Sequence, residues 1–311
     1  MQEKQHTVGR FAPTPSGRMH LGNAFAALMA WLAVRSQGGT MLLRMEDLDT
    51  QRTKPEYAQL LRQDLQWLGL DWDTETPCQT NRTEAYIQCF EQLQAQNLLY
   101  PCYCTRSQLH SVNAPHTSDG TYVYPGTCRN LTPLRQASFD RAPAWRLKVP
   151  DRLYSVQDRI QGLYRENLAA DCGDFVIRRG DGAFVYQLAV TVDDGQWGVN
   201  QVVRGVDLLS SVPRQMYLQE LFGFPQPEYA HIPLLVAPDG RRLSKRDRDM
   251  DLGVLQSRLT APHLIGILAC AAGIIDRAEP VSPRELVGEF QFSKIHKDKI
   301  CLKLSKTYDF L

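Results

Sequence analysis

His20 stands in the segment Ala12-Pro13-Thr14-Pro15-Ser16-Gly17-Arg18-Met19-His20-Leu21-Gly22-Asn23, which follows the apolar, β-branched stretch from Thr7 to Phe11. A strand passing into a helix through prolines and glycines sets the free N–H groups of the helix start beside that histidine, where doubly wound α/β folds bind anions. Gly17 and Gly22 allow close backbone approach to a phosphate, and His20, neutral or protonated, can donate to phosphate oxygens as negative charge builds on them. A nucleotide polyanion suits this place; a proline-rich connection with an incidental histidine is the plainer alternative. A second cluster, Arg241-Arg242-Leu243-Ser244-Lys245-Arg246, follows the turn signal Pro238-Asp239-Gly240. A lysine on a flexible loop can move onto a leaving pyrophosphate and stabilise it in the transition state, although such a charge run is otherwise a solvated surface.

A third group carries metal chemistry. Of the eight cysteines, Cys102, Cys104 and Cys128 bracket a stretch rich in Pro, Thr, Ser and Gly, and the others are scattered as free thiols are in a reducing compartment. Three thiolates leave one position open in a four-coordinate zinc shell. His110 and His116 are the first nominees on acid–base grounds, because a phenol with a pKa near ~10 must lose its proton to bind well. Three ordinary buried cysteines are the alternative.

The elements that must position these residues read as α/β. The chain has 311 residues, 43% of them hydrophobic, and a net charge of +1, enough for a large core and about two domains by length. Its near-neutral charge argues neither for nor against nucleic acid. No apolar run reaches about 18 residues and Met1 to His6 is polar, so a cytoplasmic protein away from the membrane is expected. Strands are expected at Thr7 to Ala12 and Met41 to Met45, with a helix from about Asn23 to Arg35 between them. Further helices fit Pro55 to Leu68, Glu84 to Leu98 and His263 to Ala272. After Tyr100 the pattern weakens into an insertion. The sheet is expected to resume at Ala144 to Val149, with a hairpin of Phe175 to Arg178 and Ala183 to Val192 about the turn Asp181-Gly182. A second hairpin would join His231 to Ala237 with Arg241 to Leu243.

Taken together, the Pro-x-Pro-Ser-Gly-x-x-His-Leu-Gly segment and the Leu-Ser-Lys loop resemble the two signatures of class I aminoacyl-tRNA synthetases. Arg10 to Gly17, Leu43-Arg44-Met45-Glu46-Asp47-Leu48-Asp49, Asp174 to Ile177, Tyr186-Gln187-Leu188-Ala189-Val190, Asp193-Asp194 and Val203-Arg204-Gly205 with Asp207 resemble the glutamyl branch, over nearly the whole chain. The resemblance implies a Rossmann-type catalytic domain with His20 and Lys245 as catalytic residues. It implies ATP, with Mg2+, on Pro13, Gly17, His20, Gly22, Asn23, Leu243, Ser244 and Lys245. It implies L-glutamate on Arg10, Phe11, Ala12, Pro13, Thr14, Glu46, Tyr186 and Arg204. The chemistry agrees: Arg10 and Arg204 are forks suited to glutamate's two carboxylates, Glu46 suits its ammonium, and Tyr186 adds a hydroxyl.

For the metal, the family pattern Cys-x-Cys followed by Tyr-x-x-x-Cys is met by Tyr124 to Cys128, which favours Tyr124 over His116 as fourth ligand of one structural zinc per chain. The implied organisation is residues 1–99 and 151–249 as two halves of the catalytic domain, 100–150 as the zinc-binding insertion, and 250–311 as a short helical C-terminal region. A conventional glutamyl-tRNA synthetase continues past its lysine loop into an anticodon-binding domain, for which the residues from Met250 to Leu311 leave no room. That architecture resembles the glutamyl-queuosine tRNA(Asp) synthetase family, which makes glutamyl-adenylate and transfers glutamate to queuosine in the anticodon stem-loop of tRNA(Asp). A monomer is expected. Asn23 and Leu243 depart from commoner family residues at tolerant positions. The basic tail, with Lys294, Lys297, Lys299, Lys303 and Lys306, is either a contact for RNA phosphates or a solvated segment. Two rival readings are a minimal synthetase charging the tRNA 3′ end and an inactive synthetase-like protein that binds RNA.

Overall fold

Every second residue of the first strands faces a different core, and that alternation organises the molecule. In the computed structural model, which describes residues 6–105, 107–108, 123–237, 240 and 251–302, the chain opens with β1 (Val8–Phe11), α1 (Leu21–Arg35), β2 (Thr40–Leu43), α2 (Pro55–Trp67), β3 (Thr74–Glu75) and α3 (Thr83–Ala95). It continues through β4 (Leu99–Cys102), α4 (Pro133–Gln136), β5 (Ala144–Leu147), the hairpin β6 (Leu153–Asp158) and β7 (Gly162–Asn167), and β8 (Phe175–Arg178). Then come α5 (Tyr186–Gln196), β9 (Gln201–Gly205), α6 (Val212–Phe222), β10 (Glu228–Ile232) and β11 (Leu235–Val236). The last described elements are α7 (Leu252–Gln256), α8 (Ala261–Ala272) and β12 (Ile300–Cys301). No helix among the described residues is long and apolar enough to cross a membrane.

Five strands form a parallel sheet in the order β10-β9-β1-β2-β3. Met41, Leu43, Val203 and Ile232 point to one core with α1, while Leu42, Val202 and Tyr229 point to the other with α3, α5 and α6. Helix α1 is apolar all round because its core is shared with Leu252 and Leu255 of α7 and Leu264, Ile265 and Leu268 of α8. It lies so close to β1 that a Cβ at Gly9 would sit 2.3 Å from Cγ2 of Val34, which explains glycine in the middle of a strand. Truncating a buried α1 residue such as Leu28 to alanine should cost about 2–5 kcal/mol.

Four expectations are corrected. Ala144–Leu147 and Phe175–Arg178 do not rejoin the parallel sheet; with β4 they build a separate three-stranded antiparallel sheet, and the parallel sheet resumes at Gln201. Residues Tyr186 to Val192, expected as the second arm of a hairpin, lie in helix α5, and only an Arg178–Phe184 bridge remains of that pairing. The β-branched run reads as a strand locally, but a helix brings Tyr186 and, two turns later, Asp193 and Asp194 toward one side. The expected strand from His231 to Ala237 is split at Pro233-Leu234, and β11 pairs with β12, parallel, from the C-terminal region. Residues 241–243, its expected partner, lie outside the described residues. Beyond α8 the described chain is mostly turns and a short strand instead of helix.

Candidate active site

Strand order reverses between β1 and β9, and the carboxyl ends of these strands open onto a cleft of about 460 Å³. The segment after β1 supplies Ala12, Pro13, Thr14, Gly17, His20, Gly22 and Asn23 to its lining, β1 itself supplies Arg10 and Phe11, and Glu46 follows β2. Tyr186 enters from the start of α5 and Arg204 from β9, with Gly205, Asp207 and Leu208 behind it. All the described residues expected to hold glutamate or ATP therefore line one cleft. Leu243, Ser244 and Lys245 lie outside the described residues, as do His110 and His116.

His20 is the N-cap of α1. Its Nδ1 accepts from the Gly22 amide at 3.1 Å, and the Asn23 side-chain oxygen accepts from the His20 amide at 3.2 Å, a reciprocal capping box. An Nδ1 that accepts assigns the ring proton of neutral His20 to Nε2. Gly22 is required for this arrangement, because a Cβ there would lie 2.9 Å from Cε1 of the imidazole. The motif thus spends Asn23 on building the helix start and holds a histidine donor beside the positive end of α1.

A charged network lies behind the cleft. Arg10 Nε donates to both carboxylate oxygens of Asp194 at 3.3 Å. The fully buried Arg44 donates to Asp194 at 2.7 Å and to Glu46 at 3.1 Å, and its Nε lies 3.8 Å from Asp193. Asp193 also accepts from Gln79, Arg82 and Tyr86. Burial disfavours the charges on Arg44 and Asp194, but the opposite charges around each more than offset it, holding the guanidinium pKa above and the carboxyl pKa below their ordinary values. Burial pushes Glu46 above the usual carboxylate value, offset only in part by Arg44 and Arg10, so a ligand ammonium beside it would favour its ionised form.

Arg204 is held differently. Its Nε donates to His231 Nε2 at 3.0 Å, Nη1 to the Tyr186 hydroxyl at 3.3 Å and Nη2 to the Leu208 carbonyl at 3.2 Å. Of five N–H groups, two are left for a ligand. Sequence reasoning gave no role to Arg44, Asp193 or Asp194, and none to His231 or Asp158. A single histidine in an apolar stretch reads as core, and only the pairing of β9 with β10 reveals its neighbour.

The cysteine cluster is a separate small core of Tyr100, Cys102, Tyr124 and Cys128. The three sulfurs lie within 4.8 Å of one another. The Tyr124 hydroxyl is 3.4 Å from Cys102 Sγ and 3.7 Å from Cys104 Sγ, and Cys104 and Cys128 Sγ are 3.6 Å apart. Tetrahedral zinc at ordinary bond lengths separates its ligand atoms by roughly 3.5–3.8 Å. The three sulfurs and the phenol oxygen fit such an ion, with Tyr124 already turned inward by the Cys128 amide, which donates to its hydroxyl at 2.8 Å. Burial pushes the Cys104 thiol up to about 12. Burial opposes ionisation of Cys102 as well, but Tyr124 and Arg146 more than offset it and lower its pKa. Arg146, which sequence reasoning missed, donates to Cys102 Sγ at 3.2 Å and stacks 3.6 Å over the Tyr124 ring.

Comparison with known proteins agrees with this geometry. Residues 6–258 match the family described as tRNA synthetases class I (E and Q), catalytic domain. The chain is 46% identical over 308 residues to a glutamyl-Q tRNA(Asp) synthetase of Symbiobacterium thermophilum, covering 94% of each protein. It is 45% identical over 293 residues to the like-named protein of Nitratidesulfovibrio vulgaris, covering 90% of each. Among solved structures, a glutamate tRNA ligase from Elizabethkingia meningosepticum in complex with its amino acid superposes with a TM-score of 0.80 at 28% identity, over 96% of this chain and 67% of that one.

Proposed function

Because this chain belongs to the class I tRNA synthetases of the glutamate and glutamine branch, and within them to the glutamyl-Q tRNA(Asp) synthetases, we propose that it activates L-glutamate with ATP and transfers it to queuosine in the anticodon loop of tRNA(Asp). The observation that carries this reading is the convergence of Arg10, Glu46, Tyr186 and Arg204, from distant parts of the chain, on one cleft that also contains the N-terminus of α1.

In the first step, a glutamate α-carboxylate oxygen attacks the α-phosphorus of ATP, which enters as its magnesium complex, and the bond to the leaving pyrophosphate breaks. Arg10 offers the N–H groups not used by Asp194 to one carboxylate, and Arg204 with Tyr186 takes the side-chain carboxylate. Glu46 accepts from the ammonium, while Phe11, Ala12, Pro13 and Thr14 line the amino-acid end of the cleft. His20 donates through Nε2 to the phosphate whose charge grows in the transition state, beside Pro13, Gly17, Gly22 and Asn23. Lys245, flanked by Leu243 and Ser244, stabilises the departing pyrophosphate. In the second step, a hydroxyl oxygen of queuosine's cyclopentene ring attacks the acyl carbon, its proton is lost, and AMP leaves with the electron pair. That vicinal diol resembles the ribose diol of a terminal adenosine, so the same adenylate chemistry serves it.

Zinc held by Cys102, Cys104, Tyr124 and Cys128 would fix the fold of the insertion. Along the chain, residues 1–99 and 151–249 supply the two catalytic halves, 100–150 the metal-binding insertion, and 250–311 a C-terminal region, of which α7 and α8 pack against α1. The same reading takes the protein as a monomer acting in the cytoplasm, where ATP, glutamate and tRNA are.

Glutamate-dependent ATP–pyrophosphate exchange tests the first step. His20→Ala and Lys245→Ala should each lower kcat by about 10²-fold or more with a smaller change in KM, since both act on transition-state charge. Near-normal exchange in either variant would remove that residue from the site.

A further inference from the structure

Arg204 differs from the other buried arginines in the company it keeps. Arg10 and Arg44 share the carboxylate of Asp194, whereas the acceptors of Arg204 are an imidazole, a hydroxyl and a backbone carbonyl, and among the described residues it makes no ion pair. Its positive charge is therefore not neutralised by direct contact. The nearest acidic group on this path is one residue removed. His231 is the register partner of Arg204 in the parallel β9–β10 ladder, so the two side chains lie on the same face of the sheet. Its Nε2 accepts from Arg204, and its Nδ1 lies 2.6 Å from Asp158 Oδ2, with both His231 and Asp158 buried.

This chain of contacts permits one protonation pattern. Nε2 can accept only if the proton is on Nδ1, and an ionised Asp158, an acceptor only, holds it there. Asp158 has no freedom to turn: Oδ1 accepts from the amides of Ile160 and Gln161 at 2.9 and 2.8 Å, and both oxygens lie 3.1 Å from the His231 amide. The turn of the β6–β7 hairpin thus grips the back of an arginine whose front faces the cleft.

We infer that Asp158 and His231 form a positioning relay for Arg204, which presents that guanidinium to the substrate carboxylate in one orientation with its charge unspent. The relay would set affinity for glutamate and selectivity against glutamine without touching either. It rests on Arg204 binding the side-chain carboxylate, as proposed above.

Asp158→Asn tests it by exchanging one oxygen for nitrogen. The amide oxygen should stay with the Ile160 and Gln161 amides, setting NH₂ against Nδ1 of His231. Nδ1 must then accept, Nε2 carries the proton, and it meets the Nε–H of Arg204 head-on. In exchange assays on the full chain, KM for glutamate should rise by about 10–100-fold with kcat and KM for ATP within a few-fold, and selectivity over glutamine should fall in parallel. Nitrogen NMR of the histidine-labelled protein, with His231→Gln for assignment, should show Nδ1–H in the wild type and Nε2–H in the variant. Should Asp158→Asn fail to fold, His231→Gln, whose amide oxygen can still accept from Arg204, should keep more glutamate affinity than His231→Leu; equal loss in both would overturn the relay. Arg204→Ala, run alongside, should lower kcat/KM for glutamate by roughly 10²–10³-fold. If it does and an inverted tautomer leaves KM unchanged, the relay is wrong; if Arg204→Ala changes nothing, the assignment of Arg204 is wrong.

Discussion

The molecule contains two polar constellations built in opposite ways. The cysteine cluster comes from a short stretch of chain, Cys102 to Cys128, and has its own small core apart from the two large ones. The arginine and carboxylate network is assembled from β1, the end of β2, α5, β9 and β10, and is part of the fold that separates the two main cores. A local cluster can be removed with limited damage elsewhere. A network made by topology cannot, since each member anchors a different element.

Arg44→Ala should give the largest effect, because it removes the ion-pair partner of buried Glu46 and leaves Asp194 with Arg10 alone. A loss of about 3–5 kcal/mol in denaturant unfolding is expected, together with loss of glutamate activation. A loss below about 1 kcal/mol would mean that the network is not structural and would blur the contrast with the cysteines.

Acid sharpens the same contrast. Burial, aided by Arg204, lowers His231 from 6.5 to about 4 despite Asp158. An unfolded chain binds this proton near pH 6.5 and the folded one only near pH 4, so falling pH favours unfolding through that window, and the lowered Asp158 adds further loss below it. At about 1.36 kcal/mol per pH unit, wild type should lose about 3 kcal/mol between pH 6.5 and 4 relative to His231→Gln, which lacks the titrating ring. Parallel stability–pH curves for the two proteins would refute the assignment.

Cysteine substitutions should be milder for chemistry. With one zinc per chain expected in the wild type, Cys102→Ser and Cys128→Ser should lose it by elemental analysis, yet lower glutamate-dependent exchange less than about tenfold, because none of the cluster lines the cleft. Tyr124→Phe should weaken zinc retention against a chelator by less than either cysteine change; unchanged affinity would point to water or His116 as fourth ligand.

What could be read from the sequence follows the same division. The first βαβ unit was legible because α1 has no polar face and the capping residues His20 and Asn23 lie within one motif. The cysteine spacing was legible for the same reason: its members are close in sequence. Helix α5 was not, since Val190, Thr191 and Val192 favour a strand until Asp193 and Asp194 must reach Arg44. Nor was the role of His231, which depends on a strand pairing that no local pattern encodes.

The central claim concerns the acceptor, and the position of the glutamyl group on the RNA tests it most directly. Labelled glutamate should be transferred to queuosine-containing tRNA(Asp) whose CCA end has been removed, with the label recovered in the anticodon-loop fragment, and not to the same tRNA made without queuosine. Labelling that requires the CCA end and ignores queuosine would contradict the account and identify the protein as a synthetase that charges the 3′ terminus.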